Sequence, residues 1–156
     1  SSDPVLSEAE NKRRAMNTAL VLQKLKTLDE MVEELRSLGN ISFAEINGDW
    51  RTRRAVERNV TVLAKTFVDI SERVASVAGG VPASATGAVD QCIQLGALSQ
   101  TDAYRQIADF WSFIVHQYDQ IDSAILVDLV NRRLEDFEQF EQEISAYVQR
   151  HIQESL

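Results

Sequence analysis

The chain has 156 residues, a net charge of −8 and 44% hydrophobic residues, which fits one globular domain with a hydrophobic core. The acidic charge argues against a general nucleic-acid coat protein, and the scarcity of glycine (6) and proline (2) argues against a turn-rich all-β fold. The single Cys92 excludes an internal disulfide framework, and one cysteine with two histidines does not make the usual zinc site.

The sequence contains no apolar stretch long enough to span a membrane and no recognisable signal peptide. We therefore expect a cytoplasmic protein without membrane association. Residues 1–156 are expected to form one domain, in which residues 1–7 are a flexible tail.

The first half of the chain predicts two long helices. Ser7 and Glu10 form a capping box for a helix over about 8–38, with Leu22 and Leu25 on or near its apolar stripe. Gly39 and Asn40 are expected to end this helix. A short turn at 42–46 and a turn at Asn47-Gly48 follow. Asp49 is then expected to cap a helix over about 50–78, with Trp50 packed at its start.

The second half begins with the loop AGGVPASATG at 78–87. A short helix is predicted at about 88–95, and Ser99 is expected to cap a helix over about 101–117. After the turn YDQID, Asp122 is expected to cap a last helix over about 123–153. Long helices with short connections predict an all-α, up-and-down helical bundle with four main helices and a short extra one.

The segment FWSFIVHQYDQID at 110–122 contains one of the two histidines. On a helical wheel, His116 falls on a polar face, whereas Trp111 and Tyr118 fall on the apolar stripe with Tyr104 and Ile114. A histidine in the last helical turn can act as an acid or a base, or it can simply end the helix.

Three segments in order carry a resemblance to a known family: RTRRAVERNVTVLAKTFVDISERV, IADFWSFIVHQYDQID and NRRLEDFEQFEQEI. Together, over roughly residues 12–150, they resemble the HepT family of HEPN-domain proteins. The resemblance implies a helical bundle that forms a homodimer. It also implies a metal-independent endoribonuclease without cofactors, acting as the toxin of a toxin–antitoxin pair whose antitoxin is a minimal nucleotidyltransferase.

The motif of that family is Arg, four to six residues, His, one residue and Tyr. His116 and Tyr118 match it, which implies that His116 is catalytic and that Tyr118 is the tyrosine that the antitoxin can modify by AMPylation. The arginine position falls on Trp111, followed by Ser112 in a place that is often polar. Arg105 stands about 16 Å before His116 along a helix, too far to replace the arginine within one chain.

Tryptophan has no charge with which to stabilise the phosphorane, so ribonuclease activity is expected to be weak or absent. Three interpretations of Trp111 remain open at this point. It can be a packing residue in a member that has lost catalysis, or an engineered substitution that silences a toxin. It can also stack on an RNA base while a partner chain, through Arg105, supplies the cation.

Arg51, Arg53, Arg54 and Arg58 form a basic cluster on an otherwise acidic protein. Arg51, Arg54, Arg58 and Arg105 are candidate RNA-binding residues, although such a cluster is also typical of a solvated helix start with ion pairs. Cys92 is expected in the core, and no metal ligands are predicted. The sequence thus predicts a HepT-like ribonuclease toxin that is weak or inactive, with a non-catalytic module that binds a nucleotidyltransferase as the alternative.

Overall fold

The computed structural model of the chain describes residues 7–116 and 121–155, the last four of them by their backbone only. The helices are α1 (Glu8–Ser37), α2 (Phe43–Gly48), α3 (Trp50–Val77), α4 (Ala85–Gln94), α5 (Asp102–Val115), α6 (Ser123–Asp128) and α7 (Leu134–Ser155). A π-helical turn, Leu129–Arg133, joins α6 to α7 without a break. The predicted all-α bundle is confirmed.

Side-chain caps fix where the helices begin. The Ser7 hydroxyl accepts a hydrogen bond from the Glu10 N–H at 3.2 Å, as the capping box predicts. Asp49 caps α3 and Asp122 caps α6, also as predicted. Gly39, at φ 65°, ends α1 because a left-handed residue there suits glycine.

The core lies between α3 and the helices around it. Phe67 of α3 is fully buried, and its ring centroid lies 4.2 Å from that of Phe140, 5.9 Å from that of Phe137 and 6.1 Å from that of Tyr104. Because these four rings come from α3, α5 and α7, their packing fixes how α5 crosses the bundle.

Four local predictions were wrong. Ser99 does not cap α5: its backbone N–H and hydroxyl bond Glu143, and Thr101 is the cap. Trp50 is 69% exposed rather than packed at the start of α3, and residues 85–87, predicted as part of a loop, form the first turn of α4. Asn47 and Gly48 belong to the last turn of α2.

A side chain of the π-helical turn forms hydrogen bonds with the backbone between α1 and α2. The Asn131 amide accepts a hydrogen bond from the Ile41 N–H and donates one to the Ile41 carbonyl, both at 2.9 Å. It thereby satisfies the buried backbone between α1 and α2. Within the described residues, no helix is both long enough and apolar enough to cross a membrane.

Candidate functional site

Helix α5 carries the candidate site at its C-terminal end. Its first half is buried at Tyr104, Ile107 and Ala108. The Tyr104 hydroxyl donates a hydrogen bond to Glu143 of α7 at 2.9 Å, which anchors this half of the helix. Burial raises the pKa of Tyr104, so the phenol stays a donor. For Glu143, burial alone would raise the pKa, but hydrogen bonds from Ser99 and Tyr104 lower it below its usual value.

The second half of α5 is only partly covered. Phe110, Trp111 and Ile114 are partly buried against the core. Phe113 and Val115 are 47% and 49% exposed, and at about 100° per residue they point about 160° apart, on either side of these partly buried residues. Exposed apolar side chains of this kind can contact a partner protein.

His116 is the C-cap residue of α5. Its backbone N–H bonds the Phe113 carbonyl at 3.3 Å, and its side chain is exposed. Among the described residues, no side chain forms a hydrogen bond or ion pair with the imidazole. An exposed imidazole of this kind is chemically able to transfer a proton to or from a ligand.

Trp111, at the position where the predicted motif would have an arginine, is partly buried against the core. A helix turns about 100° per residue, so Trp111 and His116 point about 140° apart around α5. The Ser112 hydroxyl bonds the Ala108 carbonyl at 3.1 Å and is thus used within the helix. Of the residues predicted for the site, only His116 presents an exposed chemical group here, and Tyr118 lies outside the described residues.

The candidate RNA-binding arginines have different surroundings. Arg105 pairs with Asp90 of α4, with its Nη2 at 2.6 Å from the carboxylate, so its charge is partly neutralised. Arg51, Arg54 and Arg58 are exposed on α3, and among the described residues none of them forms an ion pair. Of these four candidate residues, Arg105 is the one whose charge is paired within the described chain.

Arg53 joins α3 to the segment that follows the motif, which the sequence did not reveal. Its guanidinium donates to Glu57 at 2.7 Å, to Ser123 at 2.6 Å, to Asn47 at 3.2 Å and to the Ile121 carbonyl. The only sequence signal was the i, i+4 spacing of Arg53 and Glu57. Arg53 is therefore a positioning residue for residues 121–123 rather than a free cation.

Two other expectations concern metals and cysteine chemistry. Cys92 is fully buried, as expected of a core residue, and burial raises the pKa of its thiol to about 12. Across residues 7–116 and 121–151, no three side chains of His, Cys, Asp or Glu come together as a possible metal site.

Comparison with known proteins identifies the class of this helical bundle. The model of a family described as Ribonuclease HepT-like matches residues 28–144, which is most of the chain. The chain belongs to the HepT-like ribonuclease family. No curated protein matches the chain.

Two solved structures share the fold. One is a crystal structure of a toxin–antitoxin with AMP-PNP, at 21% identity and a TM-score of 0.71, covering 82% of this chain and 98% of that chain. The other is a tri-AMPylated Shewanella oneidensis HEPN toxin in complex with an MNT antitoxin. It has 22% identity and a TM-score of 0.69, with coverage of 81% of this chain and 96% of that chain. At this identity the likeness shows the fold alone.

Proposed function

We propose that the chain is the toxin subunit of a toxin–antitoxin pair, with a minimal nucleotidyltransferase as its antitoxin. Family membership supports this, and so do the two similar structures, which contain a toxin with its antitoxin. The observation that carries the proposal is the end of α5, where the exposed His116 follows two exposed apolar side chains, those of Phe113 and Val115.

The proposed activity is slow, metal-independent cleavage of RNA. His116 would move the proton between the 2′-hydroxyl and the leaving oxygen. The phosphorane charge would lack the guanidinium that the family motif supplies, because Trp111 is neutral and packs on the core. Loss of one such electrostatic group costs about 10²–10³ in rate, so the activity should be weak.

A homodimer would cover the exposed half of α5. Phe113 and Val115 are exposed in one chain, and they follow the partly buried Phe110 and Ile114 on the same helix. Pairing of two such surfaces would remove apolar area from water. Sedimentation velocity at micromolar concentration should show a dimer, and Phe113→Asp should convert it to a folded monomer. A monomeric parent would contradict the dimer.

A non-catalytic binding module is the second candidate, and Trp111 favours it. In that case the surface of α5 binds the nucleotidyltransferase, and His116 only ends the helix. The two candidates make different predictions for RNA but the same prediction for the partner.

The discriminating experiment combines a cleavage assay with a binding assay. Single-stranded RNA is incubated with the parent and with His116→Ala in EDTA, and the same proteins are co-expressed with a nucleotidyltransferase encoded beside the gene. Slow cleavage by the parent that disappears in His116→Ala supports the toxin. A stable complex without any cleavage supports the binding module, and absence of both would contradict the pairing itself.

A further inference from the structure

Helix α3 has an exposed basic face that the motif residues do not explain. Five residues define this α3 stripe: Trp50, Arg51, Arg54, Arg58 and Lys65. At about 100° per residue they fall within roughly 100° of the helix circumference, opposite the buried face. The stripe extends about 22 Å along the helix at a rise of 1.5 Å per residue.

The cations of the α3 stripe are not neutralised by neighbouring acids. All four are exposed, and in the part of the chain that the structure describes none of them forms an ion pair. Arg53, between them in sequence, is instead turned toward Glu57 with its side chain 12% exposed. Four unpaired cations on one face of a helix form a local attraction for an anion, on a chain whose net charge is −8.

The acidic residues around the stripe mark its limits. Asp49 caps the helix start, where it accepts the Arg51 N–H at 3.0 Å. Glu34 of α1 meets Asn59, on the flank of α3 that turns toward α1. Beyond Lys65 the face becomes acidic at Asp69, which pairs with Lys24, and at Glu72.

Trp50 indicates which kind of anion fits. Its ring is 69% exposed, and the Arg51 guanidinium lies 5.4 Å from the ring centroid. The contact holds the ring in place and leaves its other face open. An exposed aromatic ring at the end of a row of cations combines base stacking with phosphate contacts, which is how proteins bind single-stranded nucleic acid. An acidic protein partner would need the cations but not an open ring.

We propose that the α3 stripe binds single-stranded RNA, with Trp50 stacked on a base and the four cations on phosphates. This goes beyond the proposed ribonuclease activity, because binding on α3 does not require cleavage at His116. Arg53, which bonds Ser123 at 2.6 Å, lies in the same helix but points about 120° away from the middle of the stripe. Residues 121–123 are therefore not assigned to this RNA-binding surface.

The test is equilibrium binding of a fluorescent 2′-O-methyl oligouridine, which has no free 2′-hydroxyl and cannot be cleaved by the proposed chemistry. Anisotropy is measured with the full chain at several salt concentrations. Four phosphate contacts predict a slope of log K against log salt of about −2.8, and Arg54→Gln/Arg58→Gln should reduce it to about −1.4. Arg13→Gln/Arg14→Gln removes the same charge from exposed positions at the start of α1 and should leave the slope unchanged.

Stacking is tested at Trp50. Trp50→Ala should weaken binding by about 5- to 150-fold, the range for loss of one stacked base, and Trp50→Phe should restore most of it. Both variants should melt as the parent does, since the ring is exposed.

Three results would overturn the proposal. They are no binding at low salt, equal slopes for the α3 and α1 double variants, and equally effective competition by polyglutamate without any dependence on Trp50. The last result would indicate an acidic protein partner. RNA binding without cleavage would support the α3 stripe while counting against the proposed ribonuclease activity, so the two proposals fail separately.

Discussion

Replacing Trp111 by arginine tests directly whether this chain is a weakened nuclease. The substitution returns a guanidinium to the motif position, and the expected gain in the rate of RNA cleavage is about 10²–10³. His116→Ala should abolish the gain, because charge stabilisation and proton transfer act on one transition state. The effects of the two substitutions should therefore not add.

The cost in stability follows from the packing of Trp111. A partly buried indole removes roughly 130 Å² of apolar surface from water, which corresponds to about 3 kcal/mol at about 25 cal/mol per Å². Trp111→Ala should lose most of this free energy of unfolding. Trp111→Arg should lose less, since the aliphatic stem of arginine still covers part of the core.

Trp111→Ala is also the matched control for activity. It removes the ring without adding charge, so it separates a packing effect from an electrostatic one. Cleavage of single-stranded RNA in EDTA is measured beside urea unfolding for all variants. If folded Trp111→Arg cleaves no faster than Trp111→Ala, the electrostatic argument is refuted and the chain is better described as a binding module.

Three further predictions concern stability and modification. Arg53→Met breaks the buried ion pair with Glu57 and should lower the free energy of unfolding by about 3–5 kcal/mol. Arg133→Met, in an exposed ion pair, should lower it by less than about 1 kcal/mol. Equal losses for the two variants in urea unfolding would contradict the argument that burial makes the Arg53 pair important. Burial and neighbouring carboxylates raise the pKa of Glu141 to about 7. Since the folded state then binds the extra proton, stability should fall as pH rises from about 4.5 to 7, and Glu141→Gln should remove that fall in thermal melts. Co-expression with an active nucleotidyltransferase should add AMP to the Tyr118 peptide in mass spectrometry; an unmodified peptide would count against it.

The sequence predicted the long helices because their signals are local. A capping serine or aspartate and apolar residues at helical spacing are sufficient to place α1 and α3 within a residue or two. The cap of α5 was misassigned because Ser99 and Thr101 are both good caps. Only the tertiary structure shows that Ser99 forms hydrogen bonds with Glu143 of α7 instead.

The site was harder to predict, since its properties depend on what each face meets. The helical wheel placed His116 away from the core, and the side chain is exposed in the structure. The same reasoning could not show that Trp50 is exposed, because an aromatic residue at a helix start has no local signal for burial. Nor could it show that the Ser112 hydroxyl donates its hydrogen bond to a backbone carbonyl of its own helix.

The basic cluster at the start of α3 shows how one sequence feature divides into two physical roles. Arg53 points about 120° away from the middle of the α3 stripe, toward the rest of the bundle, where a lone charge would be costly. Glu57, one turn later, and the Ile121 carbonyl offset that cost. Arg51, Arg54 and Arg58 point to solvent and keep their charge. The inward arginine therefore fixes the position of the segment after the motif, and the outward ones remain available for a ligand on a different side of α3.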